Sequence, residues 1–385
     1  MTKDEFETAL IHGAFDVDAA TGALTAPIYQ TTTFRQLELG VEQHFEYSRS
    51  GNPTRGVLER QIALLEEGDF GYAFASGMAA VTALLCLFGA GDEILIPSDL
   101  YGGSFRLLDV HFKNFGVSWH IADTTNLDAL EASFSDNTRA VLLETPTNPT
   151  LRVSDIAGVA RAAHRRGALV IVDNTFLSPY LQRPLSLGAD IVIHSATKYI
   201  GGHNDVLAGL VVLKDTELAE RFSLIQRSTG GVLGPFDSYL LLRGLKTLSI
   251  RMDREGESAA AIAGWLLDHP GVDRVYYPGL KSDPGYTTNQ KQSEGAGGLL
   301  SFDLNDSYSV KKFVSALRVI TLAESLGSVE SMACHPATMS HASIAPEMRA
   351  KMGISDNLIR LAIGLESLSS LKSDLAAAFS AAKLK

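Results

Sequence analysis

The sequence predicts an α/β protein: a large unit built on a mostly parallel sheet, followed by a smaller C-terminal α/β unit. Strand and helix patterns alternate over about 140 residues from Tyr72, which is how a parallel sheet with covering helices reads in sequence. The strand runs, such as LVIVD ending at Asp173 and DIVIH ending at His194, are apolar at successive positions. That suits strands buried on both faces rather than one. A length of 385 residues with 45% hydrophobic content exceeds one usual domain and suffices for a sizeable core.

Taken in order, residues 1–53 carry few strong helix or strand signals and contain APIYQTTTF and EYSRSGNPTR. They are expected to form an extended arm, with turns at Gly51 and Asn52-Pro53, that packs on something other than itself. Apolar Val57, Leu58, Ile62, Leu64 and Leu65 then recur at helical spacing, so a helix is predicted after Pro53, with Thr54 as its cap and Gly68 as its stop. Strands are predicted at 93–97, 117–121, 140–144, 170–173, 191–194 and 210–213, with helical segments between them, for example 156–165. Two long helical segments, FDSYLLLRGLKTL and SAAAIAGWLLDH, bridge to the second unit, the latter stopping at His269-Pro270-Gly271. Beyond Val272 come short elements at 274–277, 299–304, 310–317 and 358–363, then an alanine-rich amphipathic helix. EGAGG at 294–298 leads into a strand rather than a helix and reads as a turn, not a phosphate loop. The chain divides on this reading into an arm at 1–53, a large domain at 54–245 and a C-terminal domain at 246–385.

The formal charge of −11 and the absence of a basic cluster argue against nucleic acid or an anionic membrane surface as partner. Small molecules are the expected ligands. The start, MTKDEFETALIHG, is acidic and lacks the apolar core of a signal peptide, and no apolar run approaches a membrane span. Cys86 and Cys334 have no CxxC spacing, so reduced thiols and a soluble, cytoplasmic protein are expected. Cys334, His335 and His341 lack zinc-site spacing, and no metal is expected.

The stretch DIVIHSATKYIGGHN, 190–204, carries the densest chemistry. A short apolar run ends in hydroxylated residues, then a lysine, an aromatic residue and two glycines. A strand there delivers Lys198 to a crowded pocket, where Ser195 and Thr197 offer hydroxyls to an anion and Gly201 and Gly202 admit close backbone approach. Desolvation and nearby positive charge would favour the neutral amine that attacks a carbonyl. A surface lysine at a strand end is the alternative this window leaves open. Asp173, at the end of another apolar run, adds weight to the first reading. A lysine that forms an imine and an aspartate that can sit on a protonated pyridine nitrogen are the two protein groups pyridoxal 5'-phosphate (PLP) needs.

Further residues fit the same chemistry, each with a plainer alternative. Ser76, Gly77 and Met78 lie where a strand feeds a helix, so their amides hold a phosphate or simply make a tight turn. No GxGxxG accompanies them, which disfavours a nicotinamide cofactor. Tyr101 in SDLYGGSFRLL can stack on a flat ring and offer a titratable hydroxyl, with Arg106 favouring phenolate, or it lies at a domain seam. Asn148 in ETPTNP is a donor to a ring oxygen or a turn residue before Pro149. Tyr47 and Arg49 alternate, so on an extended arm both point one way, towards a phosphate or towards solvent. Arg360 interrupts an apolar run, which suits bidentate capture of an amino-acid carboxylate or a structural ion pair.

With SATKYIGGHNDVLAG and VDNTFLSPYLQRPLSLGADIV, the chain resembles the cystathionine γ-synthase and γ-lyase family of PLP enzymes, within the PLP-dependent aspartate aminotransferase-like (type I) fold. The resemblance runs end to end, through EYSRSGNPTR, ASGMAA, YGGSFRL, ETPTNP and ITLAESLG. It implies that Lys198 carries the cofactor and shuttles protons, that Asp173 pairs with the pyridine nitrogen and that Tyr101 stacks on the ring. Gly77, Met78, Ser195 and Thr197 would contact the phosphate, and Tyr47 and Arg49 would reach the phosphate of the neighbouring subunit from the arm. Asn148, Ser325 and Arg360 would hold the substrate carboxylate. Members of the family are homotetramers built from two catalytic dimers, and the same assembly is expected here.

Within the family, methionine γ-lyases place a cysteine where this chain has Gly103, and bacterial β-lyases tend to put an aromatic residue at the position of Glu324. An acidic Glu324 is similar to γ-synthases and γ-lyases and would meet the distal ammonium of cystathionine. The resemblance therefore implies a carbon-sulfur lyase of trans-sulfuration: a cystathionine γ-lyase giving cysteine, 2-oxobutanoate and ammonia. Cystathionine γ-synthase is the first alternative and cystathionine β-lyase the next. QRSTGGVLGPFDSYLLLRG, 226–244, resembles lyases in its first half and synthases in its second, and leaves that choice open.

Overall fold

The alternating apolar runs form a seven-stranded sheet made of β1 Phe70–Phe74, β2 Glu93–Ile96, β3 Ser118–Ile121, β4 Thr138–Glu144, β5 Leu169–Asp173, β6 Ile191–Ser195 and β7 Gly209–Leu213. This is a computed structural model, and it describes every residue except 16, 42, 343 and 385. The strand order is β1-β7-β6-β5-β4-β2-β3. Neighbours run parallel except around β7, which is antiparallel to both β1 and β6. No crossover helix separates β6 from β7, so the chain turns straight back, as an antiparallel pair permits. That turn contains Lys198.

Successive apolar residues in the central strands reflect burial on both faces. Val141, Leu143, Val170 and Val172 pack with Val159 and Ala163 of the helix Ile156–His164. Leu142, Ile171, Ile191 and Ile193 pack on the other face with Ala80 and Leu84 of the helix Gly77–Leu85. A second, five-stranded sheet comprises β8 Val272–Tyr276, β9 Leu299–Leu304, β10 Thr321–Leu322, β11 Met332–Cys334 and β12 Leu358–Ala362, in the order β10-β11-β12-β9-β8. Ile262, Phe302, Phe313, Leu361, Leu375 and Phe379 join this sheet to the helices Leu248–Leu267, Val310–Ala316 and Leu368–Ala382.

The structure departs from the sequence reading in several places. Part of the expected extended stretch is the helix Lys3–His12, started by a capping box in which Thr2 and Glu5 bond each other's backbone amides, with Phe6 and Leu10 buried. The signal was present as an apolar pair one turn apart behind a Thr-x-x-Glu sequence. The next helix, Pro53–Leu65, is capped by Asn52 and not by Thr54: the Asn52 side chain accepts the amides of Thr54 and Arg55, and Pro53 occupies the first helical position. It ends ahead of Gly68, with Glu67 in the left-handed region at φ 56°. The helix Leu248–Leu267 begins well before SAAAIAGWLLDH, and the helix Thr216–Thr229 had no counterpart in the sequence reading.

Candidate active site

The carboxyl ends of β1, β4, β5 and β6 open on one cleft of about 390 Å³, the edge at which open parallel sheets place their ligands. Of the residues singled out in the sequence, Gly77, Met78, Tyr101, Asn148, Asp173, Ser195, Thr197, Lys198, Glu324, Ser325 and Arg360 line this cleft. The second sheet closes the cleft, because Arg360 lies on β12 and Ser325 on the segment between β10 and β11.

Lys198 sits in the β6–β7 turn, and its Nζ donates to Ser325 Oγ at 2.8 Å. Burial lowers the amine to about 8; the Arg360 charge pushes the same way and Glu324 opposes it. The turn is fixed behind the lysine by Tyr199, whose ring is in the core and whose carbonyl accepts from Arg251 Nη1 at 2.7 Å. Asp173 ends β5. The amide of Thr175 donates to its Oδ1 at 3.0 Å, and the Thr175 hydroxyl donates to the same oxygen. That hydroxyl oxygen accepts the Ser195 amide at 2.8 Å, tying the ends of β5 and β6 together. Burial raises the Asp173 carboxyl, against the pull of the Thr175 bonds.

At the end of β1, Ser76 caps the helix Gly77–Leu85 by accepting the Ala79 amide at 3.0 Å. The amides of Gly77 and Met78 are left as donors at a helix N-terminus, which suits a phosphate. A Cβ at position 77 would stand 3.0 Å from Ser195 Cβ, a tight contact that glycine avoids. Thr197 Oγ1 accepts the Ala208 amide at 3.0 Å and donates to its carbonyl at 3.3 Å. Arg360 is 3% exposed. Its Nη1 donates to Asn148 Oδ1 at 2.9 Å and its Nη2 to the Ser325 carbonyl at 2.8 Å, while Nε is buried without a partner among the described residues.

Tyr47 and Arg49 are exposed and do not line the cleft of their own chain. Arg49 lies 5.5 Å from the centroid of the Tyr47 ring and donates to the Arg227 carbonyl. Arg106, read as a neighbour of the Tyr101 hydroxyl, is likewise exposed and outside the cleft lining. Cys334 and His341 share one partner, Ser340, whose Oγ lies 3.8 Å from Cys334 Sγ and 2.9 Å from His341 Nδ1, while His335 meets Thr338 and the Asp356 carbonyl. The sequence reading missed Glu144, Thr175 and Ser340, which also line the cleft. Glu144 was findable, since it ends a predicted strand as Asp173 ends the next one.

These groups fit PLP. A sheltered amine held partly unprotonated, a buried carboxylate, an amide cradle backed by hydroxyls and a buried guanidinium with a free N–H supply a partner for each polar end of the cofactor and for an amino-acid carboxylate. The comparisons agree. The model of the family described as Cys/Met metabolism PLP-dependent enzyme matches residues 7–380. The chain is 50% identical over 369 residues to a protein named cystathionine beta-lyase in Lactococcus lactis subsp. cremoris, covering 96% of this chain and 97% of that one. It is 47% identical over 369 residues to one named cystathionine gamma-lyase in Bacillus subtilis, with the same coverage, 96% and 97%. The solved structure of cystathionine gamma-lyase from Lactobacillus plantarum complexed with L-serine superposes with TM-score 0.96 at 47% identity, over 98% of this chain and 99% of that one. Matching chemistry in the cleft and similarity along nearly the whole chain lead to one conclusion: the protein belongs to the PLP-dependent enzymes of cysteine and methionine metabolism.

Proposed function

We propose that the enzyme is a cystathionine γ-lyase, releasing cysteine, 2-oxobutanoate and ammonia from L-cystathionine. The observation that carries this reading is Glu324, a carboxylate on the cleft wall next to Ser325, which offers a counter-charge to the distal ammonium of such a substrate. When bound, PLP supplies an electron sink for the carbon that bears the substrate amine. The chain's own residues do the rest. Lys198 would take the proton at the α carbon, pass it on to the conjugated system that PLP would supply, and, neutral again, take one at the β carbon, which its lowered basicity suits. Asp173 keeps a negative charge against the ring nitrogen. Arg360, with Asn148 and Ser325, would hold the substrate carboxylate and so fix the orientation of the bond to be broken. Tyr101 stacks on the ring and exchanges a proton at the departing sulfur. Gly77, Met78, Ser195 and Thr197 hold the phosphate. Tyr47 and Arg49 complete that hold in the neighbouring subunit of a cytoplasmic homotetramer, which makes residues 1–53 an arm serving another chain's site.

A cystathionine β-lyase reading is favoured by the 50% identical relative, which is named cystathionine beta-lyase. Incubating the yellow holoenzyme with L-cystathionine alone separates the readings. Cysteine with 2-oxobutanoate is the expected outcome. Homocysteine with pyruvate would overturn it for the β-lyase, and silence until an O-acyl-homoserine and cysteine are supplied would move the assignment to a γ-synthase.

A further inference from the structure

Glu144 and Asp173 end neighbouring strands in matching register, both line the cleft, and Glu144 is buried. Adjacent strands lie about 4.8 Å apart. Neither carboxyl forms an ion pair among the described residues. Matching register on neighbouring parallel strands puts the two carboxyls on one face, and with Glu144 buried and Asp173 half-buried the pair resists ionising together. The hydrogen bonds decide which one ionises. Asp173 accepts both the amide and the hydroxyl of Thr175, whereas Glu144 Oε2 accepts the Tyr101 amide at 2.9 Å. Asp99, also buried, accepts at Oδ2 from the Thr147 and Thr150 hydroxyls, and its charge further disfavours charge on Glu144.

We propose that Glu144 is a positioning residue of the active site: a neutral carboxylic acid that grips the Tyr101 amide and leaves the single negative charge of the pair on Asp173. Burial and the Asp173 charge both push Glu144 well above the usual carboxylate range, in agreement with this geometry. The residue acts through its two neighbours. It fixes the start of the Gly102–Arg106 helix and hence Tyr101, and it lets Asp173 remain the anion. The inference rests on the reading of Tyr101 and Asp173 as ring contacts, and a Tyr101→Ala variant tests that reading separately.

The decisive measurement is the infrared spectrum of the holoenzyme at neutral pH. A protonated-carboxyl band is expected in the wild type and is lost in Glu144→Gln. Asp173→Asn, by removing the competing charge, should weaken the same band. In kinetics, Glu144→Ala lowers kcat/KM by about 100-fold, the scale of a small misplacement in a site, and Glu144→Gln, neutral and still an acceptor for the Tyr101 amide, recovers about tenfold of that loss. A wild type without the band, a band indifferent to Asp173→Asn, or alanine and glutamine variants equally impaired would each overturn the proposal. The infrared arm reports on Glu144 whatever the substrate proves to be.

Discussion

At Lys198 burial lowers the amine, while at Asp173 and Glu144 it raises the carboxyls, because in each case the charged form is the one that loses water. The lysine amine of the folded chain, near 8, lies below its ordinary value of 10.5. Between those values the unfolded chain binds more protons than the folded one. The stability of the apo-protein therefore rises from this group as pH climbs from about 8 to 10.5 and is lost as pH falls through 8. Lys198→Ala should remove that increment, read as the urea midpoint of wild type and variant at the two ends of the range. Identical pH dependence would mean that the amine is not sheltered. The same variant should lose the visible absorbance of the bound cofactor. Ser325 belongs with this group: its φ is 142°, in a region L residues seldom adopt, and it is held there by Lys198 on its hydroxyl and Arg360 on its carbonyl.

Among the elements, the contact of the helix Pro53–Leu65 with β1 sets where the phosphate cradle stands. The helix lies so close that a Cβ on Gly71 would come 2.0 Å from the Glu59 carbonyl oxygen, and the Glu59 carboxylate accepts the Ala73 amide at 3.0 Å. Nothing flexible lies in the way, so only backbone movement relieves the clash. Gly71→Ala is expected to destabilise by about 3 kcal/mol, the upper end for overpacking, where backbone must shift. Denaturant midpoints would show this, and a change under about 0.5 kcal/mol, typical of a neutral surface site, would refute the packing argument. Such a variant should also bind PLP more weakly, since β1 leads directly into Ser76 and Gly77.

For the whole molecule, the cleft exists because the two sheets meet at the ETPTNP turn. Arg360 on β12 reaches Asn148 across 212 positions of sequence, and Ser301 on β9 donates to the Pro149 carbonyl at 2.8 Å. Away from the cleft, the arm leaves Leu37 85% and Leu39 95% exposed. Leu37 and Leu39, either side of Glu38, are the kind of exposed apolar pair that the proposed assembly would cover. Under the proposed homotetramer, Leu37→Asp with Leu39→Asp should shift the mass measured by light scattering towards smaller species and weaken PLP binding. An unchanged mass would remove this part of the arm from the interface.

What could be read from the sequence was what depends on neighbours along the chain. The central strands were legible because burial on both faces leaves an uninterrupted apolar run, and Asp173 and Lys198 because one ends such a run and the other follows one within a few residues. The helix Lys3–His12 was overlooked, since two buried residues behind a capping box make a weak periodic signal. Strand order, the reversal of β7 and the pairing of Arg360 with Asn148 depend on which surfaces meet, and no local pattern encodes that. Glu144 makes the distinction plain. Its residue type and place at a strand end were written in the sequence, but its protonation is set by a carboxylate on the adjacent strand, and only the tertiary structure puts the two side by side.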